Sequence, residues 1–239
     1  MNFDIRAVTL DLDDTLWPFA PIGARIEQVM HAWLETHSPA TAAQFPVATM
    51  RTLREQVFAE NPQLIHDLSA LRKLTLEHAL RRSGADMALL DPAFEIFYAE
   101  RNKVECYPDA VEALERIAAR LPVAALTNGN ADLARCGLDQ HFVFQLGSRE
   151  HGAAKPDASI FHAACERLAV PPVNVLHVGD HPLMDAAGAM RAGLRACWLN
   201  REGVAWPLDE AQPDLEFSTL TALADWLDTH LDTKDTAAA

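Results

Sequence analysis

Short apolar runs of strand length alternate along this chain with helix-length amphipathic segments. That alternation restricts the fold more than any other feature. The runs are Ala7–Leu12, Val123–Thr127, Phe142–Leu146, Val173–Gly179 and Arg195–Leu199. Helical patterns fill Asp109–Arg120, Ala131–Gly137, Asp157–Leu168 and Pro182–Ala192. "PDAVEALERIAARL" and "KPDASIFHAACERL" both open on Pro-Asp, which suits a first helical turn: proline there leaves no N–H unpaired, and the acid complements the helix dipole. Strands that alternate with helices pair in parallel and are covered on both faces, so the chain is expected to be α/β.

One interval breaks the pattern. From about residue 19 to 103 no strand is evident, and helical stretches take over at Gly23–Thr36, Val47–Ala59, Gln63–Arg82 and Pro92–Asn102. The expected organisation is a parallel-sheet core from 1–18 and 104–232, interrupted by an all-helical insert at 19–103. The end, "TKDTAAA" (233–239), has little to pack and is expected to be a disordered tail.

Composition narrows the partners. The chain has 239 residues, 49% hydrophobic and 23% charged, as a globular protein does. A formal charge of −14 argues against nucleic acid or an anionic membrane as a partner. It also means that an anionic substrate needs local cations. The cysteines, Cys106, Cys136, Cys165 and Cys197, form no CxxC pair. No secretory leader and no membrane-length apolar run is seen. A cytoplasmic protein is expected, as a monomer or weak homo-oligomer.

In a parallel α/β sheet the chemistry lies beyond the carboxyl ends of the strands, where strand order reverses. The first run ends in Asp11, Asp13 and Asp14, the second in Thr127-Asn128-Gly129, and the fourth in Gly179-Asp180, with Asp185 following; Lys155 precedes the helix that opens at Pro156. On extended backbone Asp11 and Asp13 share a face and Asp14 points away, toward a turn role. With Asp180 they make a set of hard oxygen ligands suited to Mg2+. Thr127 and the amides around Asn128 and Gly129 can donate to phosphate oxygens, and Lys155 supplies a fixed positive charge. Such a set fits phosphoryl transfer, which depends on positioning and charge stabilisation. Asp11 is the candidate nucleophile, forming an aspartyl phosphate, and Asp13 the candidate acid and base for the leaving group and water.

"DLDDTLW", "TNGN", "KP" and "GDHPLMD", in that order, resemble the four motifs of haloacid dehalogenase-like (HAD) hydrolases. The resemblance implies a Rossmann-like core and Mg2+. It also implies phosphate contacts from Thr127 and Asn128, metal ligation by Asp180 and the Asp13 carbonyl, and an Asp185 that binds the metal or holds Lys155. It identifies the insert as similar to a C1 cap, a lid over the substrate. Dehalogenases expel halide, which needs no proton, and lack the second acid; an aspartate at 13 therefore favours phosphatase. More narrowly, "LTNGNADL", "GLDQHF" and "IHDLSALR" are similar to bacterial phosphatases acting on FMN and on 5-amino-6-(5-phospho-D-ribitylamino)uracil. The expected substrate is a small phosphorylated metabolite. The alternatives are a phosphotransferase or phosphomutase, or a phosphatase of sugar phosphates or nucleotides.

Other residues carry two readings. Trp17 and Phe19 could stack on a flat ring or simply pack at a domain seam. His66, Asp67 and Arg72 are candidates for the distal part of the substrate, against a solvated helix face. His181 is a candidate site-lining residue. His177, inside an apolar strand, reads as a satisfied core histidine. Asp185 could serve as a helix-dipole or capping residue instead.

Overall fold

The computed structural model describes residues 4–237, with side chains to 231. Its centre is a six-stranded parallel sheet of order β3-β2-β1-β4-β5-β6. The strands are β1 (Ala7–Leu10), β2 (Val123–Thr127), β3 (Phe144–Gly147), β4 (Val175–Gly179), β5 (Arg195–Leu199) and β6 (Leu215–Phe217). β1, β2 and β4 are buried at every position, so they lack the polar-apolar alternation of a half-exposed strand; Thr9 and His177 are buried polar positions inside β1 and β4. β6 is not apparent from sequence. It is a three-residue edge strand on β5, too short for a periodic signal.

The helices, in chain order, are α1 (Phe19–His37), α2 (Pro39–Gln44), α3 (Val47–Glu60), α4 (Leu68–Arg82), α5 (Leu90–Arg101), α6 (Ala110–Ala118), α7 (Leu133–Cys136), α8 (Ser148–His151), α9 (Ala158–Leu168), α10 (Gly188–Arg191) and α11 (Leu220–Ala237). Between β4 and α10 the chain makes a π-helical turn, Pro182–Ala187. α11 is continuous through 233–237, where a disordered tail was expected; no Gly or Pro interrupts the chain there. Residues 238 and 239 lie outside the described residues.

The chain divides into two compact units. One comprises Met1–Pro18, Glu105–Gly129 and Gly137–Ala239; the other comprises Phe19–Val104 and Asn130–Cys136. The first contains the whole sheet. Part of its core packs Ile160, Phe161 and Ala164 of α9 with Leu126, Val175 and Ala196 of the sheet. The second unit is all-helical and has its own core around Phe45, Leu53, Val57, Leu71 and Ala79. The short segment Asn130–Cys136 groups with the helices through side chains: Asn130 accepts from Arg101 Nε (3.0 Å) and donates to Ser69 Oγ (3.2 Å), and Asn102 Oδ1 accepts from the Asp132 N–H (2.8 Å). The unit boundary thus falls inside the "TNGN" stretch.

β1 lies at the centre of the sheet. Its neighbours are β2 and β4, which arrive from distant parts of the sequence, and the Asp11 N–H extends the ladder to Val178 O (2.9 Å). The strand order reverses here, so the C-terminal ends of β1, β2 and β4 deliver the residues after them to one edge.

Candidate active site

Lys155 is the hub of the sheet's C-terminal edge. It is 3% exposed. Its ammonium donates to Asp11 Oδ1 (2.6 Å), Asp185 Oδ1 (2.6 Å) and the Leu126 carbonyl (2.8 Å). An ammonium has three N–H bonds, so all three are used. Burial alone would push the lysine pKa down, but the charges and hydrogen bonds of Asp11 and Asp185 more than offset this and hold it above the usual range.

The acids respond unequally. Burial raises Asp11 well above the ordinary carboxyl range; Lys155 opposes this, while the charges of Asp185 and Asp180 add to it. Burial and then the charges of Asp185 and Asp14 raise Asp180 to about 7. Burial also works against ionised Asp185, but Lys155 and His177 overcome it and leave that carboxyl below its ordinary value. Asp185 is thus the settled counter-ion, while burial and the neighbouring acids disfavour the charged forms of Asp11 and Asp180. Carboxylate oxygens of Asp11, Asp180 and Asp185 all lie within 4.8 Å of one another. Crowded hard oxygens that resist ionisation fit a hydrated divalent cation such as Mg2+.

Local geometry explains how Asp185 reaches this cluster. In the turn Pro182–Ala187 the Ala186 N–H reaches back to the His181 carbonyl (3.4 Å), five residues away, a wide turn that carries Asp185 over the end of β4. The His181 N–H donates to Asp185 Oδ2 (2.9 Å). His181 Nδ1 accepts from the Leu183 and Met184 N–H groups (3.2 Å each), so this ring caps the turn. Gly179 makes room: a Cβ there would lie 2.3 Å from Asp185 Cγ.

The loop after β1 closes on itself. Asp14 has φ +57°, and its N–H bonds the Trp17 carbonyl (2.7 Å). Trp17 is fully buried, and its indole N–H donates to Asp13 Oδ1 (2.8 Å). Trp17 is thus buried and tied to Asp13 within the sheet unit. Arg201 braces the same loop, donating to the Thr15 carbonyl (2.8 Å) and to Asp109 (3.0 Å). Thr15 Oγ1 donates to Asp180 Oδ1 (3.3 Å).

Asn128 has a task that sequence does not indicate. Its side-chain amide clamps the backbone of Lys155 in both directions, donating to the carbonyl and accepting from the N–H (2.8 Å each). Thr127 Oγ1 accepts from the Gly129 N–H (2.9 Å). His177 hydrogen-bonds both Thr9 and Asp185. The roles of Asn128, Arg201 and His177 depend on cross-chain reach, and no local pattern marks them. His66 and Arg72 belong to the helical unit: His66 in the turn before α4, Arg72 on α4 with its guanidinium 4.6 Å from the Phe97 ring centroid.

Known proteins share this arrangement of motifs and fold. Residues 5–193 match the family model described as "Hydrolase: haloacid dehalogenase-like hydrolase". The chain belongs to the haloacid dehalogenase-like hydrolase family. It is 32% identical to the 5-amino-6-(5-phospho-D-ribitylamino)uracil phosphatase YigB of Escherichia coli (strain K12), over 92% of this chain and 94% of that one. It is 37% identical to a phosphoserine phosphatase of Thermus thermophilus, over 90% and 96%. The crystal structure of a 2-haloacid dehalogenase from Pseudomonas syringae pv. Tomato DC3000 superposes with a TM-score of 0.87 at 39% identity, over 94% of this chain and 99% of that one. The α/β fold is that of HAD hydrolases, and the chain is a HAD-like hydrolase.

Proposed function

We propose that the chain is a Mg2+-dependent phosphomonoesterase that acts on a small phosphorylated metabolite through an aspartyl phosphate on Asp11. The observation that carries this reading is Asp13. An acid stands two residues after the candidate nucleophile, and the Trp17 indole holds one of its oxygens at 2.8 Å. That bond fixes the orientation of the carboxyl that is to carry the proton.

In the proposed reaction an Asp11 carboxylate oxygen attacks phosphorus as the bond to the leaving oxygen breaks, and Asp13 gives that oxygen its proton. Asp13 then takes a proton from water, which attacks the phosphorus of the aspartyl phosphate, releasing phosphate and restoring Asp11. Lys155, held against Asp11, stabilises charge in the transition state, while the Asn128 N–H and the Thr127 hydroxyl, which accepts from the Gly129 N–H, orient the phosphoryl oxygens. Asn128 contributes by fixing Lys155, and by its backbone rather than its side chain. Asp11, Asp180 and the Asp13 carbonyl would hold Mg2+, with Asp185 at hand, and the ion would neutralise charge on the phosphoryl group. The helical unit serves as the cap that reads the rest of the substrate, with His66 and Arg72 as its candidate contacts.

The relatives' names point in two directions. A riboflavin-pathway phosphate or FMN is the substrate we favour, from the likeness to YigB. The likeness to a 2-haloacid dehalogenase supports a second reading, halide displacement from a 2-haloacid. One panel separates them. Phosphate release from FMN, the ribitylaminouracil phosphate, sugar phosphates and nucleotides is compared with halide release from 2-chloropropionate, with Mg2+ and with EDTA. Mg2+-dependent phosphate release without halide release is expected. Halide release alone would overturn the proposal, and phosphate transfer to an added hydroxyl compound would make the chain a phosphotransferase.

A further inference from the structure

We propose that His177 is a positioning residue of this active site: from beneath the sheet edge it holds Asp185, and through Asp185 it keeps Lys155 shared with Asp11. The inference rests on the phosphotransfer reading above and names a device within it that the four motifs do not include.

Thr9 and His177 are register partners on the adjacent strands β1 and β4, so their side chains meet on one face. Both are fully buried. Thr9 Oγ1 lies 2.9 Å from His177 Nδ1, and His177 Nε2 lies 3.1 Å from Asp185 Oδ1. Phe161 packs its ring edge-on against the imidazole, with centroids 5.0 Å apart at 88°. The hydrogen-bond directions follow from the partners. An ionised carboxylate only accepts, so Nε2 carries the proton; Nδ1 of the neutral ring is then the acceptor, and the Thr9 hydroxyl donates. The result is a directed chain: Thr9 to His177 to Asp185, with Lys155 donating to the same Asp185 oxygen and to Asp11.

The histidine matters because the charges around Lys155 do not balance. One ammonium faces two carboxylates, Asp11 and Asp185, each at 2.6 Å. Asp185 Oδ1 receives both Lys155 and His177, while Oδ2 receives the His181 N–H. A neutral N–H from below lowers the demand of Asp185 on the lysine without adding a second cation. Without that donor, Asp185 Oδ1 depends on Lys155 alone and draws the ammonium away from Asp11. A histidine merely satisfying itself in a core needs partners. It does not need to share an acceptor oxygen with the lysine that touches the nucleophile.

The test compares His177→Phe, which fills the space without a donor, with His177→Gln, whose amide N–H can replace Nε2–H. Steady-state p-nitrophenyl phosphate hydrolysis is measured with Mg2+ and corrected for folded fraction. H177F is expected to lose kcat about 10- to 100-fold with KM nearly unchanged, as for outer-shell partners of active-site ligands, and H177Q to recover most of that loss. Wild-type kcat in folded H177F, or equal losses in both variants, would overturn the proposal. Should H177F not fold, Thr9→Val carries the test: a smaller loss of kcat at unchanged KM is expected, and wild-type kcat would overturn it. The 15N resonance of the buried Lys155 ammonium is a readout independent of turnover. It should move in H177F and stay near its wild-type position in H177Q; no movement in H177F overturns the proposal. A wild type that hydrolyses no phosphate ester would count against the phosphatase reading alone, because the resonance still decides the role of His177.

Discussion

A buried network in the sheet unit and a partly exposed one in the helical unit handle charge in opposite ways. In the sheet unit, Lys155, Asp11, Asp185 and His177 form one buried network in which Lys155 uses every N–H. In the helical unit, Glu27 pairs with Arg51 and Arg54, whose side chains are 53% and 25% exposed. Acids and bases therefore play different parts in these two networks. Solvent screens the Arg51–Glu27 pair, whose arginine is half exposed, and can replace that arginine. The buried network has no such substitute, so losing one member leaves a desolvated charge. Substitutions can break or sharpen this contrast.

Asp11→Asn should have the largest effect on activity, lowering kcat by at least ~10^4-fold while leaving the fold intact. Asp185 stays as the counter-ion of Lys155 and the Asn oxygen can still accept from the ammonium, so this one substitution leaves no buried charge unpaired and should cost little stability. Retained turnover would remove Asp11 as nucleophile. Lys155→Met should affect both properties. Turnover should disappear, and urea denaturation at neutral pH without Mg2+ should show a loss of about 3–5 kcal/mol, because Asp11 and Asp185 are left facing each other. A stable K155M variant would show that water enters the cluster freely and would weaken the contrast.

Gly179→Ala tests the packing behind the network. The new Cβ would lie 2.3 Å from Asp185 Cγ, so the carboxylate must move. A roughly 10- to 100-fold loss of kcat is expected, as when a supporting partner is displaced.

Glu27→Gln should have the smallest effect, under ~1 kcal/mol by thermal melting. The Arg51 hydrogen bond, opposed by burial and helped by the charges of Arg51 and Arg54, holds Glu27 below its ordinary value of 4.5. A carboxyl with a lowered folded value stabilises the protein above its unfolded value, and that contribution is lost as pH falls through the folded one. The melting difference between wild type and E27Q should therefore be present near neutrality and vanish in acid. A difference that persists in acid would mean packing rather than charge.

β2 and β5 occupy the residues their apolar runs indicate, because parallel strands covered on both faces need mostly apolar sequence. The residues of the candidate site are legible, but not all of their geometry. Asp11, Asp180 and Lys155 follow strands or precede a helix, and strand ends mark where a parallel sheet places its chemistry. Asp185 lies on a turn whose π geometry no periodicity reveals. Sequence marks Trp17, His181 and Asn128 as possible contacts for substrate or phosphate; what it does not reveal is that their side chains hold Asp13, cap a turn and clamp Lys155.

By itself the sequence determined the parallel α/β core, the helical insert and the kinds of atom brought to the sheet edge. Strand period, helix caps and ligand type are local properties, written in neighbouring residues. Only the tertiary structure decided which acid shares Lys155, which side chain holds which, and that His177 lies beneath Asp185. Those choices depend on the β1–β4 register, which sets Thr9 beside His177 across 168 positions of sequence. Hydrogen bonds act over about 3 Å, whatever the distance along the chain.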